Sequence, residues 1–280
     1  MTNSDASGRA TAPPGEQPGA GTTAEPQGRR LAGWQFVVIV LLYLAVIQGL
    51  GAAIGVDTSD SESQFPTTQA IVRNALIPIG TSIVFAAAVV SWLGWWEVVL
   101  HYRVPVRRWV RVVPISMLAV SLLGINYWHL ADQQVSLVVS LLVLGVFVGV
   151  GEELMFRGIG VHFFRRAGFS EAKTALYSSL VFGLVHVSNA IHAGPSAVVQ
   201  ALVVATSGYF FYLCLRVAGT ILLPMLVHGL WDTSLFSGLS GPEPAVSVGM
   251  FLQIVLQVAL IVVLIVRRHR IEPAARAGQT

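Results

Sequence analysis

Two adjacent carboxylates, Glu152 and Glu153, lie near the end of the apolar run VFVGVGEELMFR at 146–157. A charge at the centre of a bilayer costs at least about 2.5–3.5 kcal/mol, so ionisable groups in such a run indicate a functional site. On a helix, Glu153 and Arg157 share a face and can pair, whereas Glu152 lies about 100° away from Glu153 around the helix axis. The pattern predicts a structural ion pair and a separate working carboxylate. The alternative is that all three residues simply lie at the membrane interface.

Two further ionisable groups occur in apolar segments later in the chain. In FGLVH at 182–186, Phe182 and His186 share a helix face, and Gly183 beside them allows close contact with another helix. In HGLWD at 228–232, His228 and Asp232 form a second pair four residues apart, one turn after a proline. Taken alone, each pair is also compatible with a hydrogen-bonded structural role.

A carboxylate with two imidazoles suits hydrolysis, because a glutamate can take a proton from water while a histidine orients the water or protonates the leaving group. Glu152, His186 and His228 also match a catalytic Zn²⁺ ligand set with an open position. Both alternatives, metal-dependent and metal-independent, stay open from the residues. In either case, donors near His228 and Asp232 can stabilise a developing oxyanion.

The composition indicates that these residues are carried by membrane helices. Hydrophobic residues make up 54% of the 280 residues and charged residues only 11%, against roughly 25% charged in soluble domains. The only cysteine, Cys214, excludes an internal disulfide and a cysteine-based zinc cluster, and is predicted to be a small packing residue. There is no G-x-S-x-G nucleophile motif.

The chain divides into three regions. Residues 1–33 are rich in Pro, Gly, Ala, Thr and Ser and are predicted to form a disordered cytosolic tail. Residues 34–270 are predicted to be an all-α, polytopic bundle of about eight transmembrane helices, with the chemistry at about 136–236, and 271–280 are a short tail. The predicted spans are 34–54, 71–93, 112–130, 136–157, 173–191, 197–216, 219–236 and 246–266.

The distribution of charge predicts the orientation. With eight spans, the arginine-rich segments near Arg29, Arg107, Arg165, Arg216 and Arg268 all fall on one side. The loops on the other side carry acids and almost no basic residues, which is the positive-inside pattern. We therefore expect a multi-pass protein of the cell membrane with both termini in the cytosol.

The three segments that carry Glu152, His186 and His228 are predicted to place these residues at similar depths in the membrane. If the fourth helix continues beyond the bilayer through Phe163, then Glu152, His186 and His228 agree in depth within about one or two helical turns. The sequence therefore permits a single site built on three helices.

At this point the sequence resembles a known family. EExxxR, FxxxH and HxxxN/D on successive helices are similar to the CPBP family of intramembrane metalloproteases, which includes CAAX prenyl endopeptidases and Abi-like proteins. The three motifs stand here at 152–157, 182–186 and 228–232. Within apolar helices and in this order, they form a specific combination.

The resemblance implies roles for individual residues. Glu152 and His186 would activate the attacking water. His228 and Asp232 would form the oxyanion-stabilising or metal-binding side, with Glu152, His186 and His228 as the ligands if a metal is used. Glu153, Arg157 and Phe182 would support them. Asp232 departs from the Asn of eukaryotic members, and an ionised Asp cannot donate a hydrogen bond, so orienting His228 or ligating a metal suits it better.

Three functions are considered. The first is an endopeptidase that cuts a membrane-associated or lipidated peptide or protein near the cytosolic leaflet, with the lipid bilayer and no nucleic acid as its other partner. The second is a non-catalytic membrane scaffold of the same family that binds a sensor or exporter protein. The third is a proton-coupled transporter, against which the lack of internal repeats counts. The other histidines are predicted to be solvated, namely His101, His129, His162, His192 and His269.

Overall fold

The described part of the chain, residues 28–189 and 196–273 of a computed structural model, is helical and contains no β-strand. This confirms the all-α prediction for those residues. Most of the predicted tails, 1–27 and 274–280, and also His192, lie outside the described residues. The main helices are α1 Gly33–Ile54, α2 Thr68–Leu93, α3 Val112–Gly124, α4 Val135–Arg166, α5 Glu171–Val185, α6 Ser196–Ala218, α7 Leu222–Phe236 and α8 Val248–Arg267.

Five of these helices, α1, α2, α4, α6 and α8, are long and apolar enough to cross a membrane. The other three coincide with predicted spans but have only 13 to 15 residues. The predicted span 112–130 is interrupted after Gly124, because Asn126 caps a separate short helix, Tyr127–Ala131, by accepting a hydrogen bond from the His129 backbone N–H. Eight full spans therefore stay a prediction.

The arginine-bearing helix ends meet at one end of the bundle. The backbone N–H of Arg29, before α1, donates to the carbonyl of Leu93 at the end of α2. Arg216 in α6 donates to the carbonyls of Val104 and Pro105 before α3, and to Glu272 after α8. These contacts bring the start of α1 to the end of α2, and the end of α6 to the segments before α3 and after α8.

Close packing between α4 and α7 depends on glycine. A Cβ on Gly149 would overlap the backbone oxygen of Met225, and one on Gly229 would lie 2.7 Å from the backbone oxygen of Gly145. Glycines at these contacts let the two helix backbones approach closely, as is common between membrane helices. This contact brings the segment with the paired glutamates against the one with His228.

Helix α4 is continuous from Val135 to Arg166 and contains a π-helical segment, Leu154–Gly160, directly after Glu153. Its 32 residues correspond to about 48 Å of helix, longer than the roughly 30 Å hydrocarbon core. The expected continuation through Phe163 is thus present. The same continuation buries His162, which is 5% exposed and donates from Nδ1 to the Gly158 carbonyl at 2.8 Å. Its predicted solvation is wrong.

Candidate active site

Glu153 lies at the centre of the polar cluster. Its side chain is 0% exposed, and Oε1 accepts hydrogen bonds from Arg157 Nη1 at 2.9 Å and from His228 Nδ1 at 2.7 Å. The predicted pair within α4 is present, and the same oxygen also joins α4 to α7. The Glu153 carboxylate accepts the hydrogen bond that His228 donates from Nδ1–H. This bond fixes the orientation of the ring, so that Nε2 faces away from Glu153.

Arg157 is the main counter-charge within this cluster. It is 1% exposed, and Nη2 donates to the Gly208 carbonyl of α6 at 2.9 Å. Its guanidinium carbon lies 4.3 Å from the ring centroid of Phe182, which suits a cation–π interaction. One side chain of α4 therefore holds α5 and α6 in place as well as Glu153.

Aromatic rings enclose His228. Phe211 of α6 stacks on its ring at 4.2 Å between centroids, and Phe182 of α5 packs edge-on at 5.7 Å. His228 is 3% exposed. These contacts leave the imidazole little freedom to rotate, so the direction of Nε2 is set by packing as well as by Glu153.

Glu152 and Asp232 lie on the Nε2 side of His228. Glu152 Oε2 is 3.8 Å and Asp232 Oδ2 is 3.7 Å from Nε2, and both side chains are 18% exposed. These separations are too long for direct hydrogen bonds. The two adjacent glutamates thus differ as predicted: Glu153 is sealed and bonded, and Glu152 is accessible.

His186 approaches the cluster through Phe182. Its Nδ1–H donates to the Phe182 carbonyl at 2.8 Å, and the two rings lie 5.1 Å apart. Since Phe182 also packs on His228, one aromatic ring separates the two imidazoles. The hydrogen bond at Nδ1 leaves Nε2 of His186 available as an acceptor when the ring is neutral. Gly183, next to Phe182, would collide with α6 if it carried a Cβ, so the predicted close contact is present.

The cluster is rich in negative charge. The carboxylates of Glu152, Glu153 and Asp232 share one arginine and His228, an arrangement that can hold and move protons. Within the described residues, no group of three or more His, Cys, Asp or Glu side chains is arranged to hold a metal ion. The metal requirement, with Glu152, His186 and His228 as ligands, stays a prediction.

Sequence reasoning missed three contributors to this site. Phe211 and Gly208 of α6 contact His228 and Arg157, but no local motif in α6 distinguishes them. Tyr43 of α1 is the third: its hydroxyl oxygen would lie 3.5 Å from a Cβ on Gly151, the residue before Glu152. It comes more than 100 residues earlier in the chain. Cys214, also in α6, is fully buried in the hydrophobic core, as its predicted packing role requires.

Comparison with known proteins gives one match. The family described as Type II CAAX prenyl endopeptidase Rce1-like matches residues 134–234, which span α4 to most of α7. This region contains all three sequence motifs, so the family resemblance is confirmed. No curated protein and no solved structure matches the chain.

Proposed function

We propose, from the premise that residues 134–234 form an Rce1-like domain of the CAAX protease family, that this chain is an intramembrane endopeptidase. The observation that carries the proposal is the fixed His228, with Glu153 bonded to Nδ1 and two accessible carboxylates facing Nε2. A purely structural cluster has no need to leave two carboxylates at 18% exposure beside a buried imidazole.

Glu152 is the general base in this mechanism. Its accessible carboxylate takes a proton from the attacking water, which His186 orients through Nε2, and then passes the proton to the leaving amine. The water oxygen bonds to the scissile carbonyl carbon, and the carbon–nitrogen bond breaks in the second step. No step requires a metal.

His228 stabilises the oxyanion. In its imidazolium form it donates Nε2–H to the carbonyl oxygen on which negative charge develops, while Glu153 holds the opposite side of the ring. Asp232 cannot donate when ionised, so its proposed role is to orient Nε2 and the groups bound there. Because the ring is clamped by Phe211 and Phe182, the donor needs little reorganisation during the reaction.

The substrate is a membrane-associated or lipidated peptide or protein, cut near the cytosolic leaflet. The five apolar helices and the matched family place the chain in a membrane. Arg165 and Arg216 both pair with Glu171, and the Arg270 carbonyl accepts a hydrogen bond from Trp109 just before α3. This grouping of arginines supports eight crossings of the cell membrane with cytosolic termini.

The proposal is tested by surveying new peptide termini in host membranes that express the wild type or Glu152→Gln at matched levels. We expect a set of termini that disappears in Glu152→Gln, because a neutral amide cannot take a proton from water. The matched control is Glu97→Gln, which neutralises an exposed glutamate outside the site and should preserve those termini.

An unchanged set of termini in Glu152→Gln would refute the proposal. If that variant also supports every phenotype of the wild type, the function is the non-catalytic scaffold. Purified wild type and Glu152→Gln should then bind the same protein partner equally well.

A further inference from the structure

The segment that follows α8 is docked onto the segment that precedes α3. The Trp109 indole N–H donates to the Arg270 carbonyl at 2.6 Å, and the Arg107 backbone N–H donates to the Ile271 carbonyl at 2.9 Å. Arg107 Nε also donates to the Glu272 carbonyl at 2.8 Å, and the Ile271 side chain is buried in the hydrophobic core. The first of these bonds joins residues 161 positions apart, so the docking is a tertiary feature of the fold.

The docking gathers arginines from both segments into one basic surface, the arginine patch. Its members are Arg107, Arg108, Arg111, Arg267, Arg268 and Arg270. All but Arg107 are exposed. Arg108 and Arg111 begin and end a 3₁₀ helix, in which residues three apart lie on the same side. The Arg267 guanidinium carbon lies 5.6 Å from the Trp109 ring centroid, so the end of α8 contacts the other segment as well.

The patch has no acidic partner in the described part of the chain. The segments 103–111 and 267–273 contain a single acid, Glu272. Its carboxylate accepts from Arg216 Nη2 at 2.9 Å and Nη1 at 3.2 Å, so it compensates a buried arginine of α6 instead of the patch. Because like charges repel, gathering these arginines destabilises the docked segment unless anions lie against them.

The surface beside the patch is apolar. Val112 and Ile115 in the first turn of α3 are exposed, and so are Ile265 and Val266 in the last turn of α8. The two helices pack against each other, and α8 is long and apolar enough to cross a membrane. An anion at the patch therefore lies next to side chains that face hydrocarbon. A phospholipid offers both a charged phosphate and apolar chains, whereas a nucleic acid or a phosphopeptide offers only the charge.

We propose that the arginine patch binds one anionic phospholipid, with its phosphate between the Arg108–Arg111 segment and the pair Arg268 and Arg270. The acyl chains lie along the exposed apolar side chains of α3 and α8. Arginine suits this role because its planar guanidinium can donate two parallel hydrogen bonds to phosphate oxygens. The bound lipid offsets the repulsion and stabilises the docking of the segment after α8. None of this depends on the proposed peptidase activity.

The test is native mass spectrometry of the full-length protein in detergent, titrated with phosphatidylglycerol or with phosphatidylcholine. We expect one tightly bound phosphatidylglycerol and no comparable binding of phosphatidylcholine. Arg108→Gln with Arg111→Gln removes one side of the site, and Arg268→Gln with Arg270→Gln removes the other. Each double variant loses two arginines at the membrane surface and should bind phosphatidylglycerol about 30-fold more weakly.

The matched control is Arg30→Gln with Lys173→Gln. It removes the same amount of positive charge from two exposed residues outside the patch. Its affinity for phosphatidylglycerol should stay within a few-fold of the wild type. A loss as large as in the patch variants would mean that the total charge of the protein attracts the lipid, and the site would be refuted.

Three other results would overturn the proposal. If each patch variant keeps one lipid that only the other variant loses, the two segments bind lipids separately. Displacement of phosphatidylglycerol by inorganic phosphate, but not by sodium chloride of the same ionic strength, would make free phosphate the ligand. Displacement by an RNA oligonucleotide under the same conditions would make the patch a nucleic-acid surface.

Discussion

Replacing Glu153 with Gln should destabilise the protein strongly, whereas the same change at Glu152 should abolish only activity. Arg157 is 1% exposed and lies 2.9 Å from Glu153. At an effective dielectric constant of about 20, this attraction amounts to about 6 kcal/mol. The glutamine oxygen can still accept a hydrogen bond worth about 1.5–3 kcal/mol. The net loss is therefore about 3–5 kcal/mol, the usual result of leaving one member of a buried ion pair uncompensated.

The assay is reversible unfolding in mixed detergent micelles, followed by far-ultraviolet circular dichroism. Glu152→Gln is the matched control, since its carboxylate is partly exposed and makes no direct hydrogen bond to His228. Its free energy of unfolding should stay within about 1 kcal/mol of the wild type. A double variant, Glu153→Gln with Arg157→Met, should recover part of the loss, because it removes the stranded charge, and the resulting cycle gives the coupling energy.

Equal stability of the wild type and Glu153→Gln would contradict this reasoning. So would equal destabilisation by Glu152→Gln and Glu153→Gln, because the two carboxylates would then share one role. A coupling energy near zero between Glu153 and Arg157 would mean that their 2.9 Å contact contributes nothing to stability.

Two further predictions concern α4 and α7. Gly149→Ala should destabilise the protein by about 1–3 kcal/mol and reduce proteolysis, because the added Cβ would push α4 and α7 apart. The control is Gly49→Ala, whose added Cβ meets no atom within 4 Å. In the same unfolding assay, Gly49→Ala should be neutral or stabilising by up to about 1 kcal/mol. Asp232→Asn should keep far more proteolytic activity than Asp232→Ala, because the amide oxygen can still accept from His228 Nε2–H and orient it, as the carboxylate does. Equal rates for the two variants would exclude any polar role at this position.

The sequence was most informative where ionisable residues recur at helical spacing within apolar segments. Spacing of four residues predicted the contact between Glu153 and Arg157, because a helix places such residues on one face. The apolar composition predicted a helical membrane protein, and the three motifs predicted the family. These inferences succeed because helix geometry and the cost of charge in lipid are local properties.

Helix limits were harder to predict from hydropathy. The segment 112–130 reads as one apolar span, yet Asn126 starts a new helix within it. The predicted exposure of His162 failed because α4 extends past the membrane length and turns this residue inward. Hydropathy averages over such caps and π-helical segments, which depend on individual hydrogen bonds.

The sequence by itself determined the residue types of the site, their order along the chain and the membrane helices that carry them. Only the tertiary structure decided that Glu153 orients His228, that Phe211 covers the imidazole and that Tyr43 reaches the turn of Glu152. The first of these contacts joins residues 75 positions apart, and all three join residues on different helices. They depend on how closely the helices approach, which glycines on α4 and α7 set through packing rather than through any pattern within one segment.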